Sequence, residues 1–202
     1  MVRAALIAAL AITAAASPDI AFAQARDEKP IIDVLNAAFD AEQRTDFNAL
    51  VSLVHPRTQH LFRDLLSART DVLLRSYAQA QISAVSGLAA HPKDLVLSDA
   101  EFFVVACNNT KARHPEFADE SKYLPFTLEG TTFDSGDRAH IVLSSASAIR
   151  TERTDFGFLV SRHVFLKHER TQWLLWSVPF AGSIGDFWTR DLAVASSPGV
   201  GR

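Results

Sequence analysis

Two histidines, His140 and His163, are the residues best suited by type and place to acid–base chemistry. Imidazole titrates near neutrality, so a histidine inside a pocket can take or give a proton at physiological pH. Both lie in segments with a two-residue apolar rhythm, and an acid such as Asp33 or Asp40 near the start of the chain could orient one of the rings. Nothing in the spacing makes these residues converge. Histidines at sheet edges or in structural hydrogen bonds are commoner than catalytic ones, and the pattern favours that role.

The other chemistries fare less well. His55 and His60 stand five apart across Pro56, which places them on different faces of any helix. His163 and His168 are five apart on a strand and its turn, so they alternate faces, and His114 lies beside Pro115 with no partner close in sequence. No such pair suits a shared metal, and no metal site is expected. Cys107 ends the apolar run Phe102-Phe103-Val104-Val105-Ala106-Cys107, where a free thiol behaves as a small hydrophobe. As the sole cysteine it has no internal disulfide partner. Gly182-Ser183-Ile184-Gly185 lacks the spacing of a nucleophile elbow and reads as a flexible turn. No glycine-rich segment opens a helix to cradle phosphate, and no cofactor is expected. Asn108-Asn109-Thr110 matches a glycosylation acceptor by pattern alone.

The elements that must position these residues divide into two halves. From Pro30 to Arg44 apolar residues recur at helical spacing, with Pro30 suited to a first turn. Asp46 is placed to cap a short second helix that carries Leu50, Leu53 and Val54 and stops near His55, because Pro56 disfavours helical geometry before it. A third helix is expected to turn Leu61, Phe62, Leu65 and Leu66 inward, and a fourth to run from about Asp71 to Val85, stopping at Ser86-Gly87. Ser98 and Glu101 fit a capping box opening a helix to about Cys107. Residues 108–122 read as an irregular polar loop.

After Tyr123 the period becomes two, and strands are expected over Phe126–Phe133, Ala139–Ile149, Phe156–Lys167 and Trp173–Phe180, joined by short polar turns. Helices first and hairpins second is the order of an α+β domain with an antiparallel meander. Along the third strand Phe158, Val160, Arg162, Val164 and Leu166 share one face, and Leu159, Ser161, His163, Phe165 and Lys167 the other. Phe158, Val160, Arg162 and Trp176 are the candidates to line a ligand pocket. Trp173 and Trp176 point oppositely along one strand, so at most one of them can enter it. Phe187-Trp188 is expected to pin the C-terminal segment to the body or to sit between protomers.

Composition sets the outer bounds. Met1-Val2-Arg3, an apolar run from Ala4 to Ala16, Pro18 and Ala21-Phe22-Ala23 have the makeup of a cleaved secretory signal, too short and too alanine-rich for an anchor. Residues 1–23 are expected to be removed, 24–195 to form one domain and 196–202 to be a disordered tail, giving a periplasmic or secreted product. The net charge of −3, with both signs mixed, offers no basic footprint for nucleic acid and no basic amphipathic segment for a membrane surface.

Two stretches carry a likeness. Ala41-Glu42-Gln43-Arg44-Thr45-Asp46-Phe47-Asn48-Ala49-Leu50-Val51-Ser52-Leu53-Val54-His55-Pro56 lies near the start, and Gly136-Asp137-Arg138-Ala139-His140-Ile141-Val142 with Gln172-Trp173-Leu174-Leu175-Trp176 near the end. With the order of elements, this resembles the NTF2-like superfamily, which includes ketosteroid isomerases, polyketide cyclases and non-catalytic cone-shaped domains. The resemblance implies a strongly bent sheet wrapped by helices into a cone with a pocket, and an open sheet face that pairs two protomers. It also implies, in the enzymes, an acid on a strand just after the second helix. Here that region is Arg57-Thr58-Gln59-His60-Leu61-Phe62-Arg63-Asp64, which reads as another helix, so the expected base is missing. The resulting expectation is a non-enzymatic binder of a small apolar ligand or a protein partner. The alternatives are an isomerase- or lyase-like enzyme using a pocket histidine, and a homodimeric assembly module without ligand.

Overall fold

The computed structural model describes residues 28–117, 127–134, 137–150, 155–177 and 180–196, with backbone alone for 145–150, 155–162 and 180–181. The expected signal segment, residues 197–202 of the expected tail, and the side chains of Phe158, Val160 and Arg162 lie outside the described residues. Among the described residues the architecture is α+β: six helices and a four-stranded antiparallel sheet of order β1-β2-β3-β4. Among the described residues no helix is long and apolar enough to cross a membrane.

The helices begin where local chemistry allows. α1 (Lys29–Gln43) has proline in its first turn and buries Ile31, Leu35, Ala38 and Ala41. α2 (Phe47–Ser52) is capped by Asp46, whose carboxylate accepts from the Ala49 N–H at 3.0 Å. α3 (Pro56–Leu73) starts at Pro56, with the His55 ring as its cap. It runs four turns and more, so the expected fourth helix from Asp71 is corrected: residues 71–73 finish α3, and α4 is the shorter Gln79–Ser86. α4 stops at Gly87, whose φ of +69° suits glycine. A single 3-10 turn, Pro92–Asp94, leads to α5 (Asp99–Arg113), which opens with the expected Ser98–Glu101 capping box.

Three further expectations are corrected. α5 continues through 108–113, because Thr110 buries its side chain and bonds the Ala106 carbonyl at 2.9 Å, closing the turn that the polar composition hid. The Asn108 acceptor pattern is therefore helical, with its threonine buried. Leu61 and Leu65 point outward, 53% and 50% exposed, while Phe62 and Leu66 are buried, since only one side of α3 meets the core. Gly182–Gly185 is not a turn but part of α6 (Phe180–Ser196), which takes Phe180 from the expected last strand, runs one residue into the expected tail and seals the core with Ile184, Trp188 and Leu192.

The strands follow the expected hairpins, except that the last stops at Leu175 and not Phe180, leaving Trp176 beyond its end: β1 (Thr127–Asp134), β2 (Arg138–Arg150), β3 (Asp155–Glu169) and β4 (Gln172–Leu175). The register pairs Ile141 with Val164, Ala139 with Leu166, and Leu166 with Leu175. These residues form the sheet's buried face, and one apolar cluster joins them to residues of all six helices. Burying a Phe or Leu side chain is worth about 1.5–3 kcal/mol, so Phe62, Phe102, Phe103 and Trp188, all under 3% exposed, anchor that core. At the β4 edge, Leu53–His55 adds a short parallel stub through His55 N–H to Leu175 O (2.9 Å) and Leu175 N–H to Leu53 O (2.8 Å). This stub brings the start of α3 against the end of β4.

Candidate functional site

Among the described residues, the junction of α3 with β4 builds a defined polar site around His55 and Trp176. His55 Nδ1 accepts from the Arg57 backbone N–H at 3.1 Å, so in the neutral ring the proton sits on Nε2. Nε2 meets Glu169 Oε2 at 2.6 Å, an ion-pair contact from the helix to the β3–β4 hairpin. Burial pushes the His55 pKa below its ordinary value; the Glu169 carboxylate opposes this, and the Lys167 and Arg57 cations add to it. The ring's edge supports the face of Trp176 (centroids 4.6 Å, 68°). Thr58 Oγ1 donates to the Trp176 carbonyl at 2.8 Å and holds the tryptophan backbone to the first turn of α3.

Cations surround that indole. Lys167 Nζ lies 4.8 Å from the ring centroid and the Arg57 guanidinium 5.9 Å, both within reach of a cation–π attraction. A groove of about 560 Å³ opens beside it, lined by Arg57, Thr58, His60, Leu61, Asp64, Arg138 and Trp176. Leu61 supplies an exposed apolar wall, and Asp64 is drawn towards His60 Nε2 (3.5 Å), whose Nδ1 meets Asp99 at 3.0 Å. Such a groove can hold a flat apolar group against Trp176 and an anionic group against Arg57 and Arg138.

The acid–base candidates are distributed otherwise. His140 and His163 do converge, with His140 Nε2 2.9 Å from His163 Nδ1 and the rings near parallel at 5.2 Å. They do so on the sheet face opposite the buried one, since Ala139 and Ile141 flank His140 on the core side. His163 is exposed and His140 half-buried. Asp40 is exposed on α1, Asp33 is taken by Lys29 at 2.5 Å, and among the described residues neither imidazole meets a carboxylate. The expected orienting acid is therefore corrected: the partner of each histidine is the other.

Trp176 is the one ligand-lining candidate with a described side chain, and it lies at the groove. Trp173 packs instead near Phe133 and His168. Phe187 stacks on His114 at 4.2 Å, and Trp188 is buried, so this dipeptide fastens α6 to the body. His114 is likewise consumed by structure: Nε2 meets Asp191 at 2.8 Å and Nδ1 accepts from Arg190 at 3.0 Å. Burial drives the Cys107 thiol far above its usual range, so it supplies no thiolate nucleophile. Among the described residues no three His, Cys, Asp or Glu side chains cluster as a metal centre.

Arg57, Arg138 and Leu61 in the groove, and Lys167 and His55 against the Trp176 ring, are the residues that the sequence reading missed. One signal was available: His55-Pro56 marks a helix start, and the first turn of a helix presents its side chains at one end of the fold. Arg138 and Lys167 are directly opposed in the β2–β3 register, a pairing visible only once the hairpin is aligned. Comparison with known proteins gives no match: no family model, no curated protein and no solved structure aligns significantly with this chain.

Proposed function

We propose that this chain is an exported, NTF2-like binding domain without catalytic activity, whose ligand is a small anion carrying a flat apolar group. The observation that carries this reading is the Trp176 indole, braced from one side by His55 and set among Arg57, Arg138 and Lys167 in a groove of about 560 Å³. That volume falls within the range typical of small-molecule sites. The small apolar ligand expected from the resemblance is thereby sharpened, because Arg57 and Lys167 at the indole and Arg138 in the groove wall favour a negative charge on the molecule. The order of helices followed by an antiparallel meander supports the family likeness. The non-enzymatic part is supported by the histidines: both nitrogens of His55 and of His114 are engaged, which leaves neither ring a free lone pair for proton abstraction.

The test uses a matched pair of fluorescent probes, the anionic 1-anilinonaphthalene-8-sulfonate and the uncharged N-phenyl-1-naphthylamine. The anionic probe should bind saturably at one site and more tightly than the neutral one. Its affinity should fall at least tenfold in Trp176→Ala and in the double variant Arg57→Gln/Arg138→Gln. Equal affinity for the two probes, or no response to these substitutions, overturns the reading.

A further inference from the structure

The pairing of His140 with His163 does nothing for the groove at Trp176 and follows from a different part of the register. β2 and β3 set His140 opposite Phe165 and His163 opposite Val142, so the two histidines are diagonal neighbours on one sheet face. Diagonal neighbours in an antiparallel pair are close enough for long side chains to meet. The Phe165 ring lies against His140 at 4.5 Å and 8°, which holds that imidazole in one plane. His163 rises from the middle of β3 and His140 from the third position of β2, both on paired strands that give rigid support.

Two imidazole nitrogens 2.9 Å apart share either one proton or one cation. We propose that His140 and His163 form a two-imidazole surface site for a divalent transition-metal ion, copper(II) foremost. Neutral imidazole is a common metal ligand, with metal–nitrogen bonds of about 2.0–2.1 Å. Two such bonds at a right angle put their nitrogens about 2.9 Å apart, whereas the tetrahedral angle puts them about 3.3 Å apart. Both separations lie within a small side-chain adjustment of the contact found here, and copper(II) is the first-row divalent ion that nitrogen ligands hold most tightly, so zinc is expected to bind more weakly. Binding needs whichever ring donates in this contact to carry its proton on its other nitrogen, a tautomer change that frees the second lone pair with no net proton release from the neutral pair. Water completes the coordination, in keeping with the lack of a third clustered ligand among the described residues.

The surroundings permit a cation here. Lys167, four residues along β3, turns its ammonium over Trp176 and away from the pair. Arg138, two residues before His140, lines the groove. Glu129 on β1 is bonded by the Ser144 hydroxyl. The exposure of His163 gives a hydrated ion direct access.

Copper(II) sulfate titrated into the full chain, in a buffer that does not coordinate metal, provides the test by calorimetry and electron paramagnetic resonance. The expected result is an equivalent bound with a dissociation constant in the micromolar range, with nitrogen hyperfine structure from two imidazoles. His140→Ala and His163→Ala should each weaken that equivalent at least tenfold and remove the two-nitrogen pattern. Zinc should bind more weakly than copper. An unchanged circular dichroism spectrum in both variants shows that the fold persists; should one of them fail to fold, the other variant and the wild-type spectrum decide. Copper binding that both variants leave unchanged, a spectrum without two coordinated imidazoles, or no binding in the micromolar range overturns the proposal.

Discussion

The two faces of the sheet carry residues from the same strands in strict alternation, yet they differ in nearly every respect. On one face Ala139, Ile141, Leu143, Val164, Leu166 and Leu175 are at most 7% exposed and belong to a cluster shared with every helix. On the other, Arg138, His140, Val142, His163, Phe165 and Lys167 remain partly or fully open, with Phe165 43% exposed. A period of two delivers side chains to both faces equally. What separates them is cover: the helix core packs on one side, while on the other only the start of α3 reaches Arg138 and Trp176. The buried face therefore holds stability, and the open face is free to hold groups that meet solutes.

The largest effect should come from breaking the buried face. Ile141→Ala removes packing from a fully buried strand centre and should lower the unfolding free energy by about 2–5 kcal/mol, read from urea titration. A loss below about 1 kcal/mol would mean that the core does not rest on this face.

A smaller effect concerns His55, where sheet edge and helix start meet. Its pKa in the folded chain lies below the ordinary 6.5, chiefly through burial, so the unfolded chain takes up the proton first as pH falls. Stability from the neutral ring is therefore complete above about pH 6.5 and is lost as pH falls towards the folded value. His55→Asn keeps a capping acceptor for α3 but cannot titrate. Urea midpoints at pH 8 and pH 5 should move closer together in this variant than in the wild type. Identical pH dependence would remove the histidine from the account.

The smallest effect should come from the open face. Phe165→Thr keeps a residue suited to a strand and forfeits mainly the contact with His140, so its cost should stay within about 1 kcal/mol. A cost as large as that of Ile141→Ala would show that the open face is covered in solution by another surface, and the contrast between the faces would collapse.

Much of this was legible before the structure, and the parts that were not share a cause. The Asp46 cap, the Ser98–Glu101 box and the Gly87 stop are local events, decided within four residues, and they fall where the residue types place them. The misread elements are those in which tertiary burial overrides composition. Residues 108–113 look polar but carry a buried threonine, and 182–185 contain two glycines within a helix whose Ile184 and Trp188 are clamped into the core. Gly185 sits against the Arg69 side chain, with a Cβ there only 3.2 Å from its Cγ, so close approach of α3 and α6 accounts for that glycine. Leu61 and Leu65 were assigned inward because hydrophobicity does not say which side of a helix the neighbours occupy.

By itself, then, the sequence determined the class of the protein: helices from a three- to four-residue period, an antiparallel meander from a period of two, and the caps that bound them. These depend on contacts a few residues long. Only the tertiary structure decided that His140 meets His163 rather than an acid, and that Trp176 is framed by Arg138 and Arg57, 38 and 119 residues away along the chain. Register and helix placement bring those groups together, and both are set by how the whole apolar surface packs.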